Sequence, residues 1–355
     1  MNFIRSRLQF WMLFLIAICI SISSARAQAL KPQERRQQFL KLIDRPRVEP
    51  APEIIEKTES DGVVQYHFTF SSEADQRVPV IALLKQSIID DGKRHPCAIV
   101  LHGTGGKKEG ELGILKKLAA KNFVAVSIDG RFHGERGAPA DYNGAIAKAF
   151  TDGGTHGHPL YYDTVWDVLR LVDLLQTRPE IDPDRIGLMG ISKGGIETWL
   201  AAAADPRIAV AIPCISLQSF EWSLQHDGWQ NRVGTFKAAF AQAAKSANVD
   251  KPDANFARHF YDRVIPEIYS TFDGPAMLPL IAPRPLLAIS GDKDPINPLP
   301  GARLCEEAAK AAYSQAGAAD KFELMVEANT GHAVNPKAEA AAIEWFVKWL
   351  KPETN

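Results

Sequence analysis

Ser192 has the clearest potential for chemistry, because it lies between Gly190 and Gly194 at the spacing Gly-x-Ser-x-Gly. A short apolar run, Ile186–Met189, comes before it, and an alanine-rich amphipathic stretch follows. Glycines at these positions leave the space that a sharp turn from a strand into a helix needs, and such a turn exposes the serine hydroxyl. The pattern therefore predicts that Ser192 is a nucleophile.

A serine hydroxyl is a weak nucleophile unless a base activates it, and a third group usually orients that base. On a strand–turn–helix of this kind, the acid and then the histidine follow the serine in the chain. Asp292 and Asp294 follow the apolar run Leu286–Ile289, and His332 follows Phe322–Val326. We predict His332 as the base and Asp294 as the acid. Asp292 is the alternative acid, and the carboxylate that is not used would cap the turn or the following helix.

Hydrolysis through a serine also needs donors for the oxyanion that forms at the carbonyl. One donor should be the amide of Lys193, which follows the nucleophile. The loop His-Gly-Thr-Gly-Gly at 102–106 follows the apolar run Cys97–Leu101 and could supply the other donor. We predict the amide of Thr104 for this role, and the alternative is that the loop is a simple turn.

The elements that must position these residues alternate between short apolar runs and amphipathic stretches. Such runs are typical of strands buried on both faces of a parallel sheet, whereas the first two alternate as half-buried strands do. The predicted strands are Val63–Ser71, Arg77–Leu84, Cys97–Leu101, Phe123–Ile128, Ile186–Met189, Ala209–Ile215, Leu286–Ile289 and Phe322–Val326. The predicted helices are Leu112–Lys121, Thr164–Gln176, Gly195–Ala204, Ala302–Ala312 and Ala338–Leu350. This alternation predicts an α/β fold with a doubly wound, mostly parallel sheet.

Residues 217–282 interrupt that alternation between the sixth and the seventh predicted strands. The segment contains many aromatic side chains and one alanine-rich helical stretch, Thr235–Ser246. Long insertions in compact domains are often functional, so we expect a helical insertion that acts as a lid. Trp229 in this segment is a candidate for lining a substrate pocket, with packing in the core as the alternative.

The N-terminus has the layout of a secretory signal peptide. Arg5 and Arg7 precede a short apolar run, and Ala25-Arg26-Ala27 offers a small-residue cleavage site. We expect residues 1–27 to be removed, which makes the protein secreted or periplasmic with no stable membrane span; an uncleaved anchor is the alternative. Residues 28–60 would form an N-terminal arm with a helix at Glu34–Ile43, and residues 61–355 the main domain.

Composition excludes several other classes of protein. The chain has 41 lysine and arginine residues against 42 aspartate and glutamate residues, and no basic cluster that would suggest a nucleic-acid partner. Cys97 and Cys214 lie in apolar runs, which favours buried thiols. His156 and His158 lack the further ligands that a metal site requires. We therefore expect neither a cofactor nor a metal.

Taken together, the chain resembles the α/β-hydrolase superfamily from about Val63 to Leu350. The residues that carry this resemblance are Ser192 in GISKG, Asp294 in GDKD, His332 in TGH, and the loop LHGTGG. The stretches DGRFHGE at 129–135 and IAPRPLL at 281–287 are similar to segments of dienelactone hydrolases, acetyl xylan esterases and prolyl-oligopeptidase-like domains. The resemblance implies an α/β-hydrolase fold and hydrolysis through an acyl-enzyme.

Three residues in these motifs have open roles. Many members of the superfamily carry a small, apolar or glutamine residue where this chain has Lys193, and the glucuronoyl esterases carry arginine. The ammonium of Lys193 would assist the oxyanion, bind an acidic group of the substrate, or simply be solvated. Arg131 and His133 would either fix their own loop or contact the substrate.

The sequence thus predicts a secreted serine carboxylic-ester hydrolase that acts on acylated carbohydrate or a related ester. The alternatives are a prolyl-oligopeptidase-like serine peptidase and a glucuronoyl-type esterase. The peptidase is disfavoured because residues 30–60 are too short to form a β-propeller. A non-catalytic binding protein on the same fold ranks last, because all three predicted catalytic residues are present.

Overall fold

The computed structural model describes residues 30–352. The predicted signal peptide, residues 1–27, lies outside this range. Nine strands form one sheet with the order β1-β2-β3-β5-β4-β6-β7-β8-β9. The strands are β1 (Glu53–Ser60), β2 (Val63–Glu73), β3 (Gln76–Lys85), β4 (His95–Leu101), β5 (Val124–Ile128), β6 (Ile181–Ile191), β7 (Ile208–Cys214), β8 (Leu286–Gly291) and β9 (Phe322–Glu327).

The sheet is antiparallel at one edge and parallel elsewhere. Strands β1 to β3 pair antiparallel, as do β3 and β5, and all pairs from β5 through β4 to β9 are parallel. The parallel strands therefore end together at one edge of the sheet. The predicted α/β fold with a mostly parallel sheet is confirmed.

Helices cover both faces of this sheet, as expected for a doubly wound fold. They are α1 (Pro32–Ile43), α2 (Gln86–Asp90), α3 (Leu112–Ala120), α4 (Pro139–Asp152), α5 (Tyr162–Leu175), α6 (Lys193–Ala204), α7 (Phe220–Gln225), α8 (Trp229–Gly234), α9 (Lys237–Ser246), α10 (Ala254–Val264), α11 (Gly274–Met277), α12 (Leu299–Gln315) and α13 (Pro336–Leu350). Successive strand residues point to opposite faces. Accordingly, Ile99 of β4 packs in a core with α5 and α6, and its neighbour Val100 packs in a second core with α3 and α13.

Two elements differ from the sequence-based expectation. Residues 53–60 were assigned to the N-terminal arm, but they form the edge strand β1, all of whose residues are exposed. An edge strand with both faces in solvent has no apolar alternation, so the pattern could not reveal it. Helix α4 was not predicted either. Because β1 adds a strand, residues 217–282 lie between the seventh and eighth strands rather than the sixth and seventh.

The insertion, residues 217–282, contains helices α7 to α11. Its interior is held by aromatic rings: Phe240 packs edge-on against Phe256 at 5.3 Å and against Phe260 at 5.2 Å between ring centroids. Phe150 of α4 stacks on Phe260 at 5.8 Å. These contacts attach the insertion to the main domain. Its action as a lid stays a prediction.

Cys97, Cys214 and Cys305 are buried free thiols. No helix between residues 30 and 352 combines the length and the apolar character needed to cross a membrane.

Candidate active site

The turn at Ser192 joins β6 to α6, and its backbone has φ 55° and ψ −111°. Non-glycine residues rarely adopt a positive φ, and such strained positions cluster at functional sites. The flanking glycines are required by space. A Cβ at Gly190 would lie 2.2 Å from the carbonyl oxygen of Gly194, and a Cβ at Gly194 would lie 2.5 Å from that of Leu101. The sequence-predicted turn is present.

Loops from three strand ends bring Ser192, His332 and Asp294 together. The Nε2 atom of His332 lies 2.7 Å from Oγ of Ser192, and its Nδ1 atom lies 2.7 Å from Oδ2 of Asp294. The hydrogen bond to the carboxylate places the imidazole proton on Nδ1, so that Nε2 can accept the serine proton. This arrangement has the geometry of a serine–histidine–aspartate triad.

The two candidate acids have clearly different surroundings. Asp294 is buried, and its Oδ1 accepts hydrogen bonds from the amides of Ile296 and Asn297 at 2.8 and 3.1 Å. Burial alone would raise its pKa, but the hydrogen bond from His332 and the charge on that ring outweigh it, so the pKa lies below its ordinary value. Asp292 is exposed and accepts a hydrogen bond from the amide of Thr330 at 3.0 Å. Asp292 therefore caps the loop that carries His332, which is the role expected of the carboxylate outside the triad.

The candidate oxyanion loop follows β4 and is fixed by His102. The Nδ1 atom of His102 donates to the carbonyl of Gly103 at 2.8 Å, and its Nε2 accepts the amide proton of Gly130 at 3.0 Å. Burial, reinforced by the charge on Lys193, lowers the pKa of His102 to about 4. A neutral ring thus ties this loop to the loop after β5.

The two amides predicted as oxyanion donors belong to two backbone segments that meet at Ser192. Lys193 is the first residue of α6, where an amide has no acceptor within the helix. Gly103 approaches the serine so closely that an added Cβ would lie 3.6 Å from Cβ of Ser192, and Thr104 follows it directly. Donation by Lys193 and Thr104 stays a prediction.

The side chain of Lys193 is buried, so the expectation of a solvated lysine is wrong. Only 1% of the residue is exposed, and its ammonium forms an ion pair with Glu197 one turn along α6. A Cβ at Gly130 would lie 2.8 Å from Nζ, so the ammonium packs against the loop after β5. Burial raises the pKa of Glu197 to about 7, although Lys193 opposes this rise. Sequence analysis missed Glu197, for which the i,i+4 spacing was the available signal.

Arg131 makes the loop-fixing contacts that were one of its two predicted roles. Its Nε and its Nη2 each donate to Asp167 at 2.8 Å, and Nη2 also bonds Glu73. Asp167 is fully buried, which by itself raises the pKa of a carboxyl. The charges on Arg131 and Arg136 outweigh this and hold it well below the ordinary value. Arg131 therefore braces the loop after β5 against β2 and α5.

His133 lies in the same loop and is also buried. Its Nδ1 lies 2.7 Å from the carbonyl of Arg131, and its ring packs against Tyr142 at 4.5 Å. Burial, with a further contribution from Lys193, lowers its pKa to about 3. Its predicted contact with substrate stays a prediction.

Trp229 lies in α8 and is 7% exposed, with its ring 5.9 Å from that of Phe240. The contact fits the packing alternative, and a pocket role stays a prediction. His156 is exposed and pairs with Asp152, whereas the ring of His158 bonds the carbonyl of Val264. Across residues 30–352, no three histidine, cysteine or acidic side chains are grouped closely enough to hold a metal ion.

Asn297 is a site residue that sequence analysis did not identify. Its Nδ2 donates to the carbonyl of Ile215 at 2.6 Å and to Oδ2 of Asp294 at 3.2 Å, and it lies 3.3 Å from Nδ1 of His332. Asn297 therefore donates to the same carboxylate oxygen that the imidazole bonds, beside the ring. Its spacing of three residues from Asp294 was the only signal for it.

Known proteins with similar sequences and structures include several esterases. The family model described as "Acetyl xylan esterase (AXE1)" matches residues 40–224, and that described as "Glucuronyl esterase, fungi" matches residues 153–317. "Putative hydrolase YtaP" of Bacillus subtilis (strain 168) is 28% identical over 66% of this chain and 67% of its own length.

Two solved structures show the same fold. Acetyl xylan esterase 1 from Thermoanaerobacterium sp. JW/SL YS485 aligns with a TM-score of 0.66 at 17% identity, over 90% of this chain and 93% of the other. A glucuronoyl esterase from Solibacter usitatus aligns with a TM-score of 0.62 at 16% identity, over 89% and 92%. Because the first family model spans just over half of the 355 residues, the chain belongs to the acetyl xylan esterase (AXE1) family.

Proposed function

We propose that the protein is an exported serine esterase that removes acyl groups from carbohydrate, with Ser192 as nucleophile, His332 as base and Asp294 as acid. The observation that carries this proposal is the unbroken hydrogen-bonded chain from Asp294 through His332 to Ser192, with 2.7 Å at each step. Nucleophile, base and orienting group within hydrogen-bond reach are the requirement for covalent catalysis.

The reaction then follows from the positions of these atoms. Oγ of Ser192 attacks the ester carbonyl while Nε2 of His332 takes the hydroxyl proton, and Asp294 stabilises the imidazolium. The amides of Lys193 and Thr104 would donate to the oxyanion. The imidazolium returns its proton to the departing alcohol, which leaves an acyl group on Ser192. Water, deprotonated by His332, attacks this acyl-enzyme. The imidazolium returns the proton to Oγ of Ser192 as the acid is released.

Family membership supports the choice of substrate. Acetyl xylan esterases are named for an acetylated polysaccharide, and acyl transfer from such a substrate needs only the residues described above. A glucuronoyl-type esterase is the second candidate, because the fungal glucuronyl esterase model covers both Ser192 and Asp294. It ranks lower because the cation of Lys193 is already paired with Glu197.

The test uses the purified exported protein and its Ser192→Ala variant. The substrates are p-nitrophenyl acetate, acetylated xylan, a methyl ester of glucuronic acid and a proline amide. We expect acetate release from acetylated xylan by the unaltered protein and a loss of at least about 10³-fold in Ser192→Ala. Equal rates for the two proteins would refute the proposal. Faster cleavage of the glucuronate ester or the amide would replace it with the corresponding alternative.

Export is tested separately, by mass spectrometry of the N-terminus of the protein recovered outside the cytoplasm. We expect the chain to begin after Ala27 or Ala29. An exported protein that retains Met1 would contradict cleavage.

A further inference from the structure

Arg232 of α8 stands apart from the other buried cations between residues 30 and 352. Lysine and arginine side chains are rarely buried without a counter-charge, because an unpaired charge is costly to remove from water. Four of the five buried cations in this range have a carboxylate partner: Lys108 with Asp129, Arg131 with Asp167, Arg170 with Asp173, and Lys193 with Glu197. Arg232 is only 2% exposed, and within the described residues it forms no ion pair.

The contacts that Arg232 does make are to neutral oxygens. Its Nη2 bonds Oδ1 of Asn297 and lies 3.5 Å from the carbonyl of Ile296, and its Nε lies 3.4 Å from Oε1 of Gln218. The guanidinium also forms a hydrogen bond with the hydroxyl of Tyr161. Glu197 lies near the same tyrosine, Tyr161, but it already pairs with Lys193. Among the described residues, no carboxylate therefore contacts the guanidinium directly, and that of Asp294 lies beyond Asn297.

Two further donors near Arg232 also lack acceptors. Nε2 of Gln218 is buried with no hydrogen-bond partner, although the same amide accepts from Arg232 through its oxygen. Nε1 of Trp229, three residues earlier on α8, is likewise buried and unpaired. Buried donors without acceptors cost stability, so an acceptor bound beside them would satisfy donors that the described residues leave unpaired.

The cluster is connected to the candidate triad through Asn297. Asn297, which accepts from Arg232, also donates to Oδ2 of Asp294 at 3.2 Å and lies 3.3 Å from Nδ1 of His332. One side chain therefore separates the guanidinium from the triad. A group bound beside Arg232 would therefore lie close to the triad.

We propose that Arg232, with Gln218 and Trp229, binds a free carboxylate carried by the substrate, separate from the ester that is hydrolysed. A guanidinium presents a planar pair of donors that matches the two oxygens of a carboxylate. The carboxylate can belong to the alcohol part, as in an acylated sugar acid, or to the acyl part, as in the half-ester of a dicarboxylic acid. This inference rests on the proposed esterase function and narrows its substrate class.

Binding is measured first, because it does not depend on catalysis. Calorimetry with the Ser192→Ala protein would compare glucuronate with glucose for the alcohol part, and succinate with butanol for the acyl part. We expect at least one of the two anions to bind, and to bind at least about 10-fold more tightly than its neutral counterpart, as charge-assisted hydrogen bonds predict. Adding Arg232→Met should abolish that preference. Equal binding of both anions and their neutral counterparts would refute the inference.

Kinetics then separates binding from positioning. Arg232→Met should raise KM about 10- to 100-fold for acetylated glucuronate or for 4-nitrophenyl hemisuccinate. It should change KM for acetylated glucose and for 4-nitrophenyl butyrate by less than about 3-fold. Arg258→Met is the matched control, because Arg258 lies on α10 of the same insertion but is paired with Glu221 at 2.9 Å. It should leave all four values unchanged.

Equal losses on charged and neutral esters in Arg232→Met would show that the arginine only positions Asn297, and would overturn the inference. Failure of this inference can be distinguished from failure of the proposed esterase function. If Ser192→Ala binds the anion but the unaltered protein hydrolyses no ester, the esterase function fails while the anion site stands.

Discussion

The carboxyl edge of the sheet and the helical insertion are held together in different ways. At the edge, backbone atoms meet: a Cβ at Gly291 would lie 2.3 Å from the carbonyl oxygen of Thr330, and Gly190 leaves equally little room beside Gly194. In the insertion, side chains meet, and the packing rests on aromatic rings such as those of Phe240 and Phe260.

This difference separates two tasks. Backbone contacts tolerate almost no change, so they keep the distances among Ser192, His332 and Asp294 fixed. Packing between side chains can be rearranged by substitution while the chain path is kept. We infer that the edge carries the chemistry and that the insertion, which also contains Arg232, selects the substrate. The predictions below test this division.

The largest effect is expected from the acid at the edge. Asp294→Asn should lower kcat about 10⁴-fold, because the imidazole would lose the partner that sets its tautomer. Asp292→Asn, two residues away, should change kcat by less than about 5-fold, since that carboxylate only caps the loop at Thr330. Ester hydrolysis and circular dichroism on both variants provide the measurement. An inactive Asp292→Asn beside an active Asp294→Asn would exchange their roles.

A cavity in the insertion should reduce stability rather than chemistry. Phe260 is fully buried, so Phe260→Ala should lower the free energy of unfolding by about 3–5 kcal/mol. The kcat on p-nitrophenyl acetate, measured well below the melting temperature, should stay within about 3-fold. Leu304→Ala, at a side chain that is 40% exposed, should cost less than about 1 kcal/mol. A loss of kcat as large as that of Asp294→Asn would remove the division between the two regions.

Substitutions in the ion pair between Lys193 and Glu197 test whether catalysis requires the ammonium of Lys193 or only its backbone amide. Lys193→Met should cost about 3 kcal/mol of stability, at the lower end for a broken buried pair. Glu197 can then take up a proton, because its pKa is already raised to about 7. The double variant Lys193→Met/Glu197→Leu should recover most of that stability, as measured by urea unfolding.

The same double variant should keep kcat within about 10-fold if only the amide contributes. A loss of more than about 10³-fold in a folded double variant would assign the ammonium a direct role at the oxyanion.

A smaller effect is expected at Glu111, after the candidate oxyanion loop. Burial, with help from Glu339, raises its pKa from 4.5 to about 7. A carboxyl with a raised folded pKa binds its proton more tightly when folded, so it lowers stability as the pH rises from about 4.5 to above 7. Glu111→Gln should remove about 2 kcal/mol of this fall. Urea unfolding at pH 5 and pH 8 checks it, with the exposed Glu307→Gln as control. Identical slopes in both variants would contradict the shift.

The sequence predicted the features that depend on where the parallel strands end. Ser192, Asp294 and His332 each follow an apolar run, and parallel runs must end at one edge, so their meeting could be anticipated. The strand at 53–60 could not, because EIIEKTES is exposed along its whole length. Helix α4 begins at Pro139 and contains a glycine in its middle, a composition that favours a loop.

Contacts between side chains distant in the chain were beyond prediction for a different reason. Arg232 and Asn297 are 65 residues apart and meet only because α8 packs over the acid-bearing loop. The periodicity of apolar residues along the sequence cannot predict such a contact. The sequence therefore predicted that Ser192, Asp294 and His332 would meet, but not which side chains surround them.

One consequence concerns how the enzyme should respond to acid. His102 holds its loop by donating through one ring nitrogen and accepting through the other. Protonation would place two donors face to face at the amide of Gly130 and separate the two loops. Because the pKa of His102 is lowered to about 4, this does not occur in mildly acidic surroundings. A histidine that stays neutral in mild acid lets the loop beside the nucleophile keep one shape over that pH range.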